Sequence, residues 1–342
     1  MGGFWRGPLE YDLPESLIAQ QPAAKRDDAR LMIVDRRDGT IRHARIPAII
    51  DELAFGDRLV LNDTRVYPAR LYGRKESGGR VELLVLALGA GAVPAIARAS
   101  KPVRDGQRIA LPGGHAVTVR GPIVEGRCRL DFGDVDVRGV LNEIGDVPLP
   151  PYIARPEGPS ASDRERYQTV YAQHEGSVAA PTAGLHFTPE ILSALDAKGV
   201  DRSSVTLHVG PGTFSPVRGP LAQHRMEEET CSVPAAEVLS IGMSRARGGR
   251  IVAVGTTTVR ALETAAAGGT LAAFHGRTNL FVRPGHEFRT VDALLTNFHL
   301  PGSTLLCLIM AFAGTELTRH AYETAVAERY RFYSFGDAML IL

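Results

Sequence analysis

The sequence predicts an α/β protein that carries a separate β-rich unit. Strand–turn–helix units recur after residue 150, which is the pattern of a mostly parallel sheet with helices packed on it. Between about residues 65 and 150, short β-rich runs alternate with glycine and proline turns, and helical periodicity is weak. The 342 residues are 44% hydrophobic and 23% charged, which is enough to bury a core in each of two domains.

The first strands lie before the β-rich unit. Residues 31–35 and 58–61 are apolar runs that each lead into a turn rich in Asp, Asn or Gly. Within the unit, the runs 81–86, 116–119 and 128–132 have strand length and are separated by turns. Such strands form a small barrel or a sandwich, and the residues leave both open.

The second half of the chain begins after the stiff segment 148–151, Pro-Leu-Pro-Pro. We expect strands at 205–209, 251–254 and 293–300 and helices at 259–267 and 304–313. A threonine of 256–258 can cap the first helix, and Pro301-Gly302-Ser303 and Gly314 bracket the second. Binding sites in such sheets lie beyond the carboxyl ends of the strands, so the turns there are candidates for a site.

Charge, cysteine spacing and hydropathy exclude several classes of protein. The formal net charge is +1, so a nucleic acid would have to be held by a local basic cluster. Cys128, Cys231 and Cys307 form no CxxC pair, which argues against a disulfide framework, a thiolate zinc site and an iron–sulfur cluster. Residues 1–14 lack the apolar core of a signal peptide, and the apolar run 304–313 is shorter than the ~20 residues that span a bilayer. We therefore expect a cytoplasmic monomer without a membrane segment.

Three histidines, His186, His208 and His299, stand among small residues and hydroxyls at predicted element ends. Each alone fits a hydrogen-bonded structural imidazole, whereas three in similar surroundings favour a site. A tris-histidine metal site is not expected, because none of them lies in HExxH or another recognised ligand spacing. Arg260, three residues before Glu263, fits either an ion pair with that residue or a ligand contact.

Basic residues lead into the β-rich unit, namely Arg58, Arg65, Arg70, Arg74, Lys75 and Arg80, with Tyr67 and Tyr72 among them. Spread over strands, such residues form either a solvated face or a path for RNA, and the sequence leaves both open. Glu227 and Glu228 fit an acidic solvent-exposed face.

Long motifs along the chain resemble the S-adenosylmethionine:tRNA ribosyltransferase-isomerase family of queuosine biosynthesis. The similarity runs from Tyr11 to the last residues and covers essentially the whole chain. Its motifs are LNDTRV (61–66), PAR (68–70), PLPPYI (148–153), YQTVY (167–171), GSVAAPTAGLHFT (176–188), TNFHLP (296–301) and YRFYSFGDAML (330–340).

The resemblance implies a fold and a reaction. The fold is a three-layer α/β domain with a mixed or mostly parallel sheet, made of residues 1–64 and 151–342, with a small β-barrel of residues 65–150 inserted in it. The family moves and isomerises the ribosyl group of S-adenosylmethionine onto 7-aminomethyl-7-deazaguanine at the tRNA wobble position, which gives epoxyqueuosine, adenine and methionine. We therefore expect S-adenosylmethionine as co-substrate, no metal, and the tRNA anticodon loop as partner.

One segment departs from the family pattern. Where the family usually has Met-His-Ser-Glu, this chain has Met226-Glu227-Glu228-Glu229, so Glu227 replaces the usual histidine. Two alternatives stay open beside the main interpretation. One is a diverged paralogue that uses S-adenosylmethionine on another acceptor, and the other is a tRNA-binding protein that has lost catalysis.

The implied chemistry assigns roles to residues. The sulfonium acidifies the C5′ hydrogens, so a neutral imidazole or a carboxylate can act as base, and His186, His208 and Glu229 are the candidates. Adenine needs a proton to leave, from His299 or His186, with Asn297 orienting the ring. We expect the co-substrate to be bound by Thr182, Thr256, Thr257, Arg260, Asn297 and Phe298, and the RNA by Arg65, Arg70, Arg74 and Lys75.

Overall fold

The computed structural model describes residues 4–214, 217, 219, 221 and 223–342, with only the backbone of residues 213 and 214. Within these ranges the strands are β1 (Arg30–Val34), β2 (Ile41–Arg45), β3 (Arg58–Asn62), β4 (Thr64–Val66), β5 (Arg70–Lys75), β6 (Arg80–Val85), β7 (Val93–Arg98), β8 (Arg108–Ala110), β9 (Ala116–Val124), β10 (Arg127–Asp131), β11 (His174–Ser177), β12 (Asp201–Leu207), β13 (Glu229–Val233), β14 (Ile251–Val254), β15 (Phe274–Thr278), β16 (Ala293–Asn297) and β17 (Ala338–Ile341). The α-helices are α1 (Ile49–Glu52), α2 (Val137–Ile144), α3 (Ala161–Arg166), α4 (Pro189–Ala197), α5 (Ala235–Ala246), α6 (Thr256–Ala265), α7 (Thr304–Ala313) and α8 (Thr315–Ala327).

The main sheet is mixed, with a parallel centre. Over the described residues its strand order is β15-β13-β12-β3-β14-β16-β17-β1-β2. Strands β12, β3, β14 and β16 run parallel to one another, as do β17 and β1. Strand β17 is antiparallel to β16, and antiparallel pairings also join β2, β13 and β15 to the sheet.

Both faces of this sheet are covered, because its central strands are apolar on both sides. In β3, Leu59 and Leu61 belong to the hydrophobic cluster that contains Leu195 of α4. Val60 between them belongs to the cluster on the other face, which also contains apolar residues of α5, α6, α7 and α8. Alternation of side chains along a strand produces this division, and the result is a three-layer domain.

Strands β5 to β10 close into an antiparallel barrel in the order β10-β7-β6-β5-β8-β9. In β6, Val81, Leu83 and Val85 are buried and alternate with residues that are more exposed. Helix α2 adds Val137, Val140 and Leu141 to the same cluster. The barrel lies in the sequence between β3 and β12 of the main sheet, so the α/β fold with an inserted barrel is confirmed. Its boundaries at residues 65 and 150 stay predictions.

Most predicted elements are present, and one helix start differs. The strand 251–254 and the helix 304–313 have their predicted bounds, and Ser303 is the N-cap of α7. Helix α6 begins three residues earlier than predicted, after Gly255, whose φ of 88° favours glycine and which offers no side-chain cap. The expected threonine cap is therefore wrong: residues 256–258 lie in the first turn, and the Thr258 hydroxyl donates to the carbonyl of Val254 (2.6 Å). None of the helices described is both long and apolar enough to cross a membrane.

Candidate active site

A cavity of about 180 Å³ opens at the carboxyl ends of the central strands. Residues that follow β12, β14 and β16 line it, namely Val209, Gly255 and Phe298. A further wall comes from Ala180, Pro181, Thr182 and Ala183, at the start of a single 3-10 turn, Thr182–His186. The cavity therefore lies where the strand–turn–helix pattern predicts a site.

Two α-helices begin at the cavity wall. Helix α6 begins at Thr256, and helix α7 begins after Ser303, whose hydroxyl accepts a hydrogen bond from the N–H of Leu306 (3.1 Å). The first N–H groups of a helix have no intrahelical acceptor and carry partial positive charge. Two helix starts at one cavity favour an anionic group such as a carboxylate there.

Asn297, at the end of β16, is held from one side. Its Nδ2 donates to the carbonyl of Tyr333 (3.0 Å) and lies 3.3 Å from Nε2 of His186. Because Nδ2 is the donor, His186 Nε2 is the acceptor, and the ring proton of neutral His186 is on Nδ1. The Asn297 Oδ1 has no partner among the described residues. Asn297 thus fixes the orientation and tautomer of His186.

His186 and His299 are both neutral imidazoles. Burial first, and then the charges of Arg331 and Arg26, lower the pKa of His186 to about 4, although a hydrogen bond with the backbone of Arg26 acts against that fall. Burial alone lowers the pKa of His299 to about 3. Nε2 of His299 lies 2.8 Å from the hydroxyl of Thr296, and His299 lines the cavity, whereas His186 lies behind Asn297. At neutral pH both rings can accept a proton, and neither carries the second proton that a general acid would donate.

The described residues that line the cavity include no carboxylate, lysine or arginine. Their polar groups are hydroxyls, one amide, one imidazole and backbone. Tyr152 and Tyr333 stack with ring centroids 4.5 Å apart, and the hydroxyl of Tyr152 lies 2.6 Å from that of Ser334. Among the described residues, a charged ligand would therefore meet dipoles, N–H groups and aromatic faces rather than ionic partners.

His208 belongs to a second polar cluster, next to the cavity residue Val209. Its Nδ1 lies 2.8 Å from the hydroxyl of Thr64. The neighbouring Asp63 accepts from the hydroxyl of Thr206 (2.7 Å) and lies 3.6 Å from Nε2 of His174. Burial raises the pKa of Asp63, and burial with the nearby His174 lowers that of His208. His208 is therefore near the cavity without lining it.

Arg260 and Glu229 form a buried ion pair, so the predicted alternative of a surface pair between Arg260 and Glu263 is wrong. Their side chains are 2% and 4% exposed. Nε of Arg260 donates to the carbonyl of Leu280 (3.0 Å), and Glu229 Oε1 accepts from the N–H of Gly210 (2.8 Å). Glu263 instead accepts from three backbone N–H groups, at residues 289–291. Neither Arg260 nor Glu229 lines the cavity.

The basic residues before and within the barrel do not share one face. Arg58 is buried and donates to Asp201 (2.9 Å), and the Lys75 Nζ donates to the carbonyls of Lys101 (2.5 Å) and Pro102 (3.2 Å). The half-buried Arg70 donates to the carbonyl of Leu149 (2.9 Å). The side chains that remain exposed are Arg65, Arg74 and Arg80.

The acidic segment is exposed at its first two residues. Glu227 pairs with Arg127 of the barrel, and Glu228 pairs with Arg277 (3.1 Å). Both glutamates lie outside the cavity wall. The ion pair of Glu227 with Arg127 therefore connects the main domain to the barrel.

The structure brings six of the predicted site residues into the cavity wall: Thr182, Thr256, Thr257, Asn297, Phe298 and His299. His186 lies directly behind it, and His208, Glu229 and Arg260 lie in adjacent polar clusters. Sequence reasoning did not assign Tyr152, Ser303, Tyr333 or Ser334 to the site. Apart from Ser303, these belong to the motifs at 148–153 and 330–340, so the motifs contained the signal.

The described residues include no group of three or more His, Cys, Asp or Glu side chains able to hold a metal ion. Cys128, Cys231 and Cys307 are buried free thiols, and burial raises the pKa of each. No thiolate is therefore expected at neutral pH.

Comparisons with known proteins agree over nearly the full chain. The family model described as "Queuosine biosynthesis protein" matches residues 8–341. An S-adenosylmethionine:tRNA ribosyltransferase-isomerase of Acidithiobacillus ferrooxidans is 54% identical over 336 residues, which are 97% of this chain and 96% of the relative. A protein of the same name from Anaeromyxobacter sp. (strain Fw109-5) is 52% identical, with 97% of each chain covered. The crystal structure of S-adenosylmethionine tRNA ribosyltransferase from Thermotoga maritima is 38% identical and has a TM-score of 0.58, with 98% of this chain and 100% of that chain covered.

Proposed function

The chain belongs to the queuosine biosynthesis protein family, and from this premise we propose that it is an S-adenosylmethionine-dependent tRNA ribosyltransferase-isomerase. It transfers and isomerises the ribosyl group of S-adenosylmethionine onto 7-aminomethyl-7-deazaguanine at the tRNA wobble position. The products are epoxyqueuosine in tRNA, adenine and methionine. We expect it to act in the cytoplasm, where tRNA is modified.

One observation supports the proposal more than any other: the wall of the cavity is built largely from the segments that resemble the family. Thr182, Asn297 and Tyr333 come from three separate motifs, at 176–188, 296–301 and 330–340, and they meet at the cavity. We interpret the meeting of three separate motifs at one cavity as support for a common ligand. The cavity volume of about 180 Å³ is below the ~300–1,000 Å³ of typical small-molecule sites.

The residues fit the parts of S-adenosylmethionine. The starts of α6 and α7, at Thr256 and Ser303, supply N–H groups and hydroxyls for the methionine carboxylate. Stacked Tyr152 and Tyr333 supply an aromatic surface for a sulfonium or a purine. The buried Oδ1 of Asn297, which has no partner among the described residues, is a hydrogen-bond acceptor of the kind that the exocyclic amine of adenine needs. Arg260 was expected at the carboxylate, but its pairing with Glu229 favours a structural role.

The protonation states of the histidines define what they can do. The base must take a proton from C5′ beside the sulfonium, and neutral His299, which lines the cavity, suits that step better than the ion-paired Glu229. Because His299 and His186 are not protonated at neutral pH, either can protonate departing adenine only after it has first accepted a proton. We propose that the proton removed from C5′ is the one delivered to adenine. His208 and the Asp63 cluster remain the alternative base.

The RNA part of the proposal concerns a single-stranded loop. The target base must leave the stack so that its amine reaches the sugar, and an anticodon loop makes this inexpensive. Of the four arginine and lysine residues predicted to bind RNA, Arg65 and Arg74 are exposed. The Lys75 ammonium already binds two carbonyls, which favours a role in the barrel.

The test is incubation with S-adenosylmethionine and tRNA that carries the 7-aminomethyl-7-deazaguanine base. We expect adenine release that requires this tRNA, with a matching mass increase of the RNA. Adenine release with a free deazapurine would instead identify a paralogue with another acceptor. Binding of tRNA without turnover would identify a non-catalytic protein, and S-adenosylhomocysteine as product would identify a methyltransferase.

A further inference from the structure

A second cavity, of about 520 Å³, lies where the chain passes between the main domain and the barrel. Its wall includes Arg65 on β4, which leads into the barrel, and Val147, on the segment that leads out of it. Asn142 of α2 and Arg164 of α3 complete it from two sides. Its volume lies within the ~300–1,000 Å³ of ligand-binding pockets.

Among the described residues no direct ion pair joins a carboxylate to the cations of this cavity, although Asp146 acts on Arg164 and Glu165 acts on Arg26 at longer range. The Arg65 side chain is exposed and makes no hydrogen bond or ion pair there. Arg164 donates to the carbonyl of Gly145 (2.8 Å), and Arg26 donates to the carbonyls of Leu185 and Glu165 (both 3.1 Å). Carbonyl groups orient a guanidinium without cancelling its charge, so the cavity keeps a positive potential.

The acids of the wall do little to neutralise it. Glu175 is already paired with Arg138 (2.9 Å). Glu165 is exposed. Burial and the neighbouring Arg166 lower the pKa of Arg26, and the charge of Glu165 opposes this only in part. The cavity therefore suits an anionic group that belongs to a larger molecule.

The uncharged groups of the wall fit a phosphate and ribose better than a base. Tyr67 and Tyr167 line the cavity but are 2% and 0% exposed, so neither offers a free face for stacking. Asn142 is exposed, and the buried Thr169 hydroxyl has no partner among the described residues. Such amides and hydroxyls contact backbone sugar and phosphate oxygens.

One side chain connects this cavity with the candidate active site. Tyr167 lines the charged cavity, and it belongs to the same hydrophobic cluster as Ala180, which lines the active site. Burial raises the pKa of the Tyr167 hydroxyl. The backbone of Ala180 and the side chain of Ser334 oppose that rise, so the Tyr167 hydroxyl lies close to both of these residues. A ligand bound in both places would span a short distance.

We propose that this cavity binds a backbone phosphate and ribose of the tRNA anticodon loop next to the modified nucleotide, with Arg65 and Arg164 as phosphate ligands. The inference rests on the proposed tRNA substrate and deepens it. It places the RNA path between the two domains and not along the outer face of the barrel, where Arg74 and Arg80 lie opposite each other on β5 and β6.

The experiment measures the affinity of the full chain for precursor-bearing tRNA as a function of salt. We compare wild type with Arg65→Ala/Arg164→Ala, with Arg74→Ala/Arg80→Ala, and with a matched control, Arg247→Ala/Arg289→Ala, two exposed arginines that line neither cavity. Each lost phosphate contact should lower the slope of log affinity against log salt by about 0.7 for single-stranded RNA. The first double variant removes both ligands of the one proposed phosphate, so it should lose about 0.7 in slope and about tenfold in affinity, and lysine at both positions should restore most of the slope.

Each outcome decides the question. A slope and affinity equal to those of wild type in the Arg65/Arg164 variant overturns the proposal, as does an equal loss in the Arg247/Arg289 control. A loss confined to the Arg74/Arg80 variant overturns it in favour of the outer face of the barrel. If wild type binds tRNA but releases no adenine, the proposed function fails while the slope still judges the cavity. Melting temperatures within a few degrees of wild type confirm that the variants are folded.

Discussion

Replacing Arg260 by methionine is expected to cost stability and not affinity for S-adenosylmethionine. The substitution keeps most of the side-chain volume, so it removes the charge with little loss of packing. It takes the guanidinium away from Glu229, a carboxylate that is 4% exposed and that keeps the N–H of Gly210, and the carbonyl of Leu280 loses its donor. The sequence alone leaves a pair with Glu263 and a ligand contact open for Arg260, and the chemistry that the resemblance implies assigns it to the co-substrate.

The magnitude follows from the burial of the pair. Removing one partner of a buried ion pair costs about 3–5 kcal/mol in the free energy of unfolding, because the other charge cannot regain water. The exposed pair of Arg277 and Glu228, with side chains 69% and 54% exposed, is the matched control. Arg277→Ala should cost about 1 kcal/mol or less.

Urea unfolding at neutral pH measures the stability, and initial rates of adenine release give KM for S-adenosylmethionine. We expect Arg260→Met to lose about 3–5 kcal/mol with KM changed less than about threefold. The double variant Arg260→Met/Glu229→Gln should be more stable than Arg260→Met, because the buried carboxylate is replaced by a neutral amide.

Two results would refute this reasoning. Stability within about 1 kcal/mol of wild type would show that Glu229 finds another partner or is hydrated. A rise in KM of tenfold or more with unchanged stability would show that Arg260 binds the co-substrate carboxylate, as the sequence suggests.

Three further predictions concern the active-site amide, the neutral histidines and the barrel lysine. Asn297→Ala frees the ring of His186 and should lower kcat/KM for adenine release by about 10–100-fold, and an unchanged value would exclude Asn297 from the site. The pKa of His299 is lowered to about 3 in the folded state and is near 6.5 in the unfolded state. As pH falls below 6.5 the unfolded state binds a proton that the folded state does not, so the free energy of unfolding decreases. Wild type should therefore lose about 2 kcal/mol more than His299→Gln between pH 7 and pH 5 in urea unfolding, and equal losses would contradict a buried neutral ring. Lys75→Met should lower the melting temperature and leave the salt dependence of tRNA binding unchanged, because the Lys75 ammonium binds two carbonyls of the barrel. A reduced salt slope in this variant would show instead that Lys75 contacts the RNA.

The position of the candidate active site was predictable because it depends on local patterns. Each strand–turn–helix unit places its turn at the same edge of the sheet, so Thr256 after β14 and Asn297 at the end of β16 meet for topological reasons. Sequence reasoning expected residues from both turns at the site. The stacked pair of Tyr152 and Tyr333 was not expected, because it joins segments with no such pattern.

The partners of charged residues were much less predictable. Spacing along a helix suggests Glu263 for Arg260, but the pair with Glu229 depends on where the antiparallel strand β13 sits in the sheet. The burial of Lys75 was available from the alternation of β5, in which Leu71, Gly73 and Lys75 share the inner face. Sequence reasoning considered the charges of that segment and did not use the alternation of buried and exposed residues along the strand.

Pairing of β1 with β17 has a consequence for how the molecule assembles. Leu31 lies beside Ala338, so an early segment of the chain is completed by one of the latest segments. The barrel strands, by contrast, pair with neighbours between residues 70 and 131. Contacts close in sequence form faster, so during synthesis on the ribosome the barrel should fold first. Strand β1 can pair with its neighbour β2 early, but its other edge stays without hydrogen-bond partners until β17 has been made. Pulse-labelling hydrogen exchange would show amides of β6 protected before the β1 amides that pair with β17, and the reverse order would contradict this sequence of events.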